Sequence, residues 1–295
     1  MKLAACLSIL NTLLAISQAA PINEKRSDVT DASLGLNAAG WFTKYGYPGP
    51  IPQDNLLVRD AYVTAPNYYT RNPYWSVEHI NADAIKVSGD ISRDKSTFRE
   101  DTDVPEYFRS KLADYKRSGY DRGHQAPAGD VQFAQDALDQ TFYLSNMCPQ
   151  VGVGFNRNYW AWTEEFGRNM TGSYDSVRIL TGPLYLPTQG DDGNYYIDYK
   201  VIGNPPNVHV PTHFFKVIIG EDSQGDSVDG AAFVLPNEYI SESTPLTNWQ
   251  TSFQNLTSMS GLEILTNVTE GVTVNNLCDK VECRIITYSH TRYNP

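Results

Sequence analysis

Asp121-Arg122-Gly123-His124 places a carboxylate, a guanidinium and an imidazole within four residues. Those three groups suit phosphodiester hydrolysis. An imidazole can take a proton from water near neutral pH. An Arg fork can grip phosphate oxygens. Gly123 permits close backbone approach, and Pro127 stops a helix from running through the segment. The tetrapeptide alone fits a polar surface turn equally well.

A second cluster follows about thirty residues later. Ser145-Asn146-Met147-Cys148-Pro149-Gln150 precedes Asn156, Trp160, Glu164 and Glu165. Let a helix start near Asn156. At about 100° per residue, Trp160 then falls about 40° from Asn156, Glu164 about 80° and Glu165 about 180°. Asn156 and Glu164 share a broad face, separated by roughly 12 Å of rise. The amide oxygen of Asn156 could bind a cation directly, with Glu164 reaching it through coordinated water. One neutral ligand and many waters suit Mg²⁺. The bland alternatives are a helix N-cap for Asn156 and a solvated helix face for Glu164.

Other chemistries lack their residues. His209 and His213 lie at i, i+4, but Val210 stands where the zinc-protease Glu would be and Pro211 interrupts a helix, and there is no Gly-x-Ser-x-Gly elbow or Walker-type loop. Gly152-Val153-Gly154 is a lone glycine pair. A two-carboxylate glycoside hydrolase built on Glu164 would suit the 19 tyrosines and the acidic composition. It would leave His124, Arg122 and Asn156 unexplained.

The elements that must carry these residues are mixed. Ser76–Ile80, Val177–Thr181, His213–Ile219 and Ala231–Pro236 pattern as strands. Val104–Tyr115, Gln132–Asp139 and Asn158–Asn169 pattern as helices. Gln140–Asn146 reads as a buried extended segment, and a late helix and a turn are expected over Trp249–Phe253 and Gly261–Leu265. Strands and helices do not alternate regularly, which predicts an α+β fold.

Together the blocks resemble the DNA/RNA non-specific endonuclease family, the Serratia-type and endonuclease G-like nucleases. The resemblance runs from about Arg71 to Phe233. It rests on Asp121 to Pro127, Tyr143-Leu144-Ser145-Asn146, Pro149-Gln150, Asn156 and Trp160. Phe98-Arg99-Glu100-Asp101, Thr181-Gly182-Pro183-Leu184 and Val210 to Val217 extend it. It implies a mixed α/β domain with antiparallel sheets and a ββα-metal motif. It also implies His124 as general base, Asn156 as the direct ligand of one Mg²⁺ (Mn²⁺ as substitute) and Glu164 as the holder of metal-bound water. Arg122 contacts phosphate. The transition-state Arg is Arg93, with Arg99 as the competing, substrate-binding candidate. Asp121, Asn146 and Gln150 stand behind the site, the last two bracing the metal helix. DNA and RNA would both be cut, leaving 5′-phosphate ends. A catalytically dead nucleic-acid binder is disfavoured by the intact His124, Asn156 and Glu164 and by the net charge.

The bulk composition bounds where this happens. Lys2, the apolar run Leu3–Ile16 and the small residues before Pro21 read as a signal peptide over 1–20. Lys25-Arg26 marks either a pro-peptide at 21–26 or a solvated pair. One endonuclease domain, 27–295, is expected, secreted and extracellular, with no membrane span; a homodimer stays open. Past residue 26 the net charge is −13, which counts against holding nucleic acid by bulk electrostatics. Arg93 to Arg122 is the exception, with eight cations against seven carboxylates. Secretion also predicts a disulfide Cys278–Cys283, leaving Cys148 as a buried thiol, and glycosylation at Asn169, Asn255 and Asn267.

Overall fold

The apolar runs become the middle of one sheet. The computed structural model describes residues 48–49, 55–87, 89, 91–222, 227–265 and 273–287, all within one compact unit, 34–295. Its strands are β1 (Leu57–Val58), β2 (Tyr62–Pro66), β3 (Pro73–Ile80), β4 (Asp121–His124), β5 (Met147–Gln150), β6 (Ser176–Leu184), β7 (Thr188–Gln189), β8 (Tyr195–Tyr196), β9 (Val201–Ile202), β10 (Val208–His209), β11 (His213–Glu221), β12 (Ser227–Pro236), β13 (Gln250–Thr251) and β14 (Thr273–Asn276). The main sheet runs β1-β2-β3-β6-β11-β12-β13 with antiparallel neighbours, and β14 pairs parallel with β12. Small antiparallel pairs β4-β5, β7-β8 and β9-β10 flank it. The fold is the expected mixed α+β class.

Alternation along the central strands builds two cores, because successive side chains point to opposite faces. Phe214 and Ile218 join Ile80, Ile179 and Phe233 under the helix Trp160–Asn169. Phe215, Val217 and Ile219 join Trp75, Val77 and Leu180 on the other face, with Leu256 of the helix Phe253–Ser260. Trp160 lies 5.5 Å from Phe214, and Phe166 meets Phe233 edge-on at 6.3 Å. Such a helix-on-sheet contact fixes the height of the helix over the strands.

Several expectations shift. Val104–Tyr115 is not one helix: only Glu106–Phe108 and Leu112–Tyr115 turn helically. Pro105 and Arg109 are extended there, and the Arg109 side chain takes the carbonyls of Val104 and Thr102. Gln140–Asn146 holds the end of the helix Gln135–Gln140 and a short 3-10 turn, Leu144–Asn146. The late helix lies between the two segments expected to hold it, starting from the Ser252 cap. Cys278 and Cys283 are bonded, with S–S 2.06 Å, and Cys148 is buried and free. Asn169 and Asn255 are exposed. Residues 1–26 and Asn267 lie outside the described residues. No helix among the described residues is long and apolar enough to cross a membrane.

Candidate active site

β4 and β5 pair so that Asp121 faces Gln150 and His124 faces Met147. The chain then passes through a widened turn, Gly152–Tyr159, into the helix Trp160–Asn169. Two strands and a helix thus bring Asp121, Arg122, His124, Asn156 and Glu164 from two sequence blocks into one unit. Widened turns recur at functional sites. Here Val153 and Gly154 break the helical path, Gly154 at φ +86°. A side chain at Gly154 would also run into the ring of Tyr239.

Each strand residue is held differently. Asp121 accepts two bonds from Arg157, at 2.6 and 2.7 Å, and one from the Asn156 amide at 2.9 Å. Burial opposes the Asp121 charge, but the bonds from Arg157 and Asn156 outweigh it and hold the carboxyl below its usual range. With its Nδ2 spent on Asp121, Asn156 keeps Oδ1 for another partner. The N-cap alternative for Asn156 fails, since Asn156 lies inside the widened turn, whose cap position is Val151, and the helix that follows has Tyr159 at its cap position. Arg122 lies over the ring of Phe98 at 4.1 Å.

His124 sits between two aromatic rings, 5.7 Å from Phe98 and 4.9 Å from Phe142, the latter edge-on. It is 7% exposed, and its Nε2 is buried without a hydrogen-bond partner. Burial first, then the positive charges of Arg93 and Arg122, push its pKa down to about 3. The imidazole is therefore neutral at pH 7 and free to accept a proton.

Asn146 and Gln150 do not brace the metal helix. Asn146 instead ties down the segment after His124. Its side chain bonds both backbone groups of Ala126 and the carbonyl of Thr141, each at 2.9 Å. Gln150 is fully buried with neither amide atom partnered, and its side chain fills the space that Gly123 leaves open. The reason lies in their partners: the Asn146 amide is taken up by Ala126 and Thr141, and Gln150 packs against Gly123.

Behind Glu164 lies a buried charge cluster that the sequence reading missed. Alternation puts Lys216 in line with Phe214 and Ile218, and Glu78 in line with Ile80, all under the active-site helix. Lys216 is 1% exposed. It donates to Thr181 at 2.7 Å and lies 4.8 Å from the Trp160 ring. Arg168 binds Asp130 at 2.5 Å and Glu165 at 2.9 Å. Glu164 is half-buried, and burial raises its pKa to about 7 against the opposing pull of Lys216 and Arg168. Burial also pushes the Glu78 carboxyl well above the usual range, with Asp130 adding to it and Lys216 pulling back. Two signals were visible in the sequence: a lone charge inside the apolar run His213–Ile219, and an Arg at i+4 from Glu164. Asp130 and Glu78 gave none.

The two upstream arginines separate cleanly. Arg93 lines the groove in front of Asp121, Arg122 and Asn156 and acts electrostatically on both His124 and Glu164. Arg99 stacks on Tyr143, 4.3 Å away, and does not line that groove. Among the described residues no three His, Cys, Asp or Glu side chains gather to hold a metal. Asn156 Oδ1 and the Glu164 carboxylate are oxygen donors for a cation, and among the described residues no side chain hydrogen-bonds to either. A hard, mostly hydrated cation fits that pair.

Comparison with known proteins bears directly on this arrangement. Residues 39–271 match the model of the DNA/RNA non-specific endonuclease family. The chain belongs to that family. It is 48% identical over 271 residues to the mitochondrial nuclease of Saccharomyces cerevisiae, covering 90% of this chain and 81% of the relative. It is 40% identical over 229 residues to human mitochondrial endonuclease G, covering 78% and 74%. A crystal structure of the EndoG/EndoGI complex superposes with a TM-score of 0.75 at 40% identity, covering 80% of this chain and 96% of that one. As a member of this family the chain is a nuclease, a hydrolase of phosphodiester bonds, and the glycoside hydrolase alternative falls. The expectation of secretion is also overturned, because these relatives are mitochondrial nucleases. An apolar leader without acidic residues is compatible with either address, and glycosylation loses the compartment it depended on.

Proposed function

We propose that this chain is a mitochondrial endonuclease that cuts both DNA and RNA with one Mg²⁺, Mn²⁺ substituting, and leaves 5′-phosphate ends. The observation that carries the reading is one strand, β4, that holds the buried His124 between two aromatic rings and, through Asp121, fixes the Asn156 amide with its oxygen uncommitted. Nε2 of His124 is sealed from solvent, so proton transfer from the attacking water falls to Nδ1. Asp121 turns Asn156 so that Oδ1 would hold a divalent cation, and Glu164 would orient water beside it. A divalent cation bound there would neutralise charge on the scissile phosphate and the leaving 3′ oxygen. Arg122 holds a phosphate oxygen, and Arg93 offsets the charge that develops in the transition state. Phe98 and Phe142 exclude bulk water from the imidazole. None of these contacts needs a 2′-hydroxyl, which supports action on both sugars. Residues 1–23 hold no Asp or Glu, as suits an organelle-targeting leader.

The test is cleavage of supercoiled plasmid and of a long RNA, with Mg²⁺ and with EDTA. Both substrates should be cut with Mg²⁺ and neither with EDTA, and the products should carry 5′-phosphate. Cleavage that survives chelation would remove the metal from the account. A carboxy-terminal fluorescent fusion should co-localise with mitochondria; export into the medium would contradict that address.

A further inference from the structure

The groove in front of the site has a second wall that the reaction does not use. It encloses about 760 Å³, and its cations are Arg93, Lys116, Arg117, Arg122 and Arg157, against the carboxylates Asp94 and Asp121. Asp121 and Arg157 neutralise each other. That leaves a positive groove in a chain whose formal net charge is −11. Lys116 and Arg117 are exposed, and neither has an ion-pair partner among the described residues. They stand on a tight turn after the short helix Leu112–Tyr115. Ser118 N–H bonds the carbonyl of Tyr115 at 3.1 Å, and Gly119 takes φ +85°. Arg117 itself has φ +61°. A non-glycine residue rarely adopts that conformation, and strain of this kind concentrates at ligand clamps. The strained turn thus holds two unpaired cations at the mouth of the groove.

We infer that Lys116 and Arg117 form a phosphate-binding subsite for nucleotides flanking the scissile bond. This rests on the nuclease reading above and deepens it. The acidic surface elsewhere repels a polyanion, so these side chains set how firmly a long strand is held while His124 acts on one of its phosphates. The subsite grips backbone and reads no bases, which matches cleavage without sequence preference.

The test compares a long DNA duplex with a dinucleoside monophosphate, whose one phosphate is the scissile one. The full chain is assayed with Mg²⁺ over a range of salt. In the Lys116→Gln/Arg117→Gln variant, kcat/KM on the duplex should fall about tenfold at low salt, mostly through KM, and the slope of its logarithm against log salt should flatten by about 1 to 2. Hydrolysis of the dinucleotide should match the wild type, since it has no flanking phosphate to lose. Arg117→Lys should restore part of the salt slope, and Arg117→Gly, which relieves the backbone, should not. Equal losses on both substrates, or an unchanged salt slope, would overturn the subsite. A wild-type chain that cuts neither substrate would instead overturn the nuclease reading on which it rests.

Discussion

Gly123 is where the hairpin carrying His124 is tightest, and replacing it tests the packing directly. A methyl group there would lie 1.8 Å from Oε1 of Gln150, 2.2 Å from its Cδ and 2.5 Å from its Cγ. Gln150 is fully buried and cannot swing into solvent. Gly123→Ala must therefore displace β4 or eject the glutamine. Overpacking of this kind costs about 1–3 kcal/mol, which in a domain of this size lowers Tm by roughly 2–4 °C per kcal/mol. Activity should fall further than stability, because a shift of about 1 Å at a catalytic group can cost about 100-fold in rate. Gln150→Ala removes all three contacting atoms together with an amide that has no hydrogen-bond partner. The double variant Gly123→Ala/Gln150→Ala should then be more stable than Gly123→Ala alone, with a coupling of about 1–3 kcal/mol. Chemical denaturation of the four proteins measures it. Additivity within about 0.5 kcal/mol, or a Gly123→Ala protein as stable as wild type, would refute the argument.

Two further outcomes follow from the charges. Burial, Arg93 and Arg122 keep His124 deprotonated down to a pKa of about 3. Arg93→Gln removes one of those causes, so the pKa rises and the acid limb of kcat/KM moves to higher pH, while Arg93→Lys leaves it in place; pH–rate profiles distinguish the two. Lys216 pulls the Glu164 pKa down against burial, so Lys216→Met raises it above about 7 and activity appears only at more alkaline pH. Removing that amine from among Glu78, Asp130 and Glu164 should also cost about 3–5 kcal/mol of stability, read by urea denaturation.

What the sequence made legible was mostly local. β6, β11 and β12 were readable because strands buried on both faces give continuous apolar runs. The ββα unit was readable because its chemistry sits in two short blocks, and helical geometry separated Glu164 from Glu165. The structure sends Glu165 to Arg168 instead. The failures came from long-range contacts. The helix over Val104–Tyr115 was lost because Arg109 bonds backbone carbonyls of an extended loop, which no periodicity reveals. The role of Asn146 depends on where the segment Gln125–Ala126 runs. Glu78, Asp130 and Lys216 meet only once three strands and a loop are assembled. The leader was misread because an apolar, acid-free start fits two addresses.

The most direct measurement is single-turnover cleavage of plasmid DNA by His124→Ala with Mg²⁺ present, beside DNA binding by the same protein. The account predicts a rate loss of about 100- to 10,000-fold with binding retained, because His124 moves a proton and does not hold the strand. Near-normal cleavage by His124→Ala would contradict it.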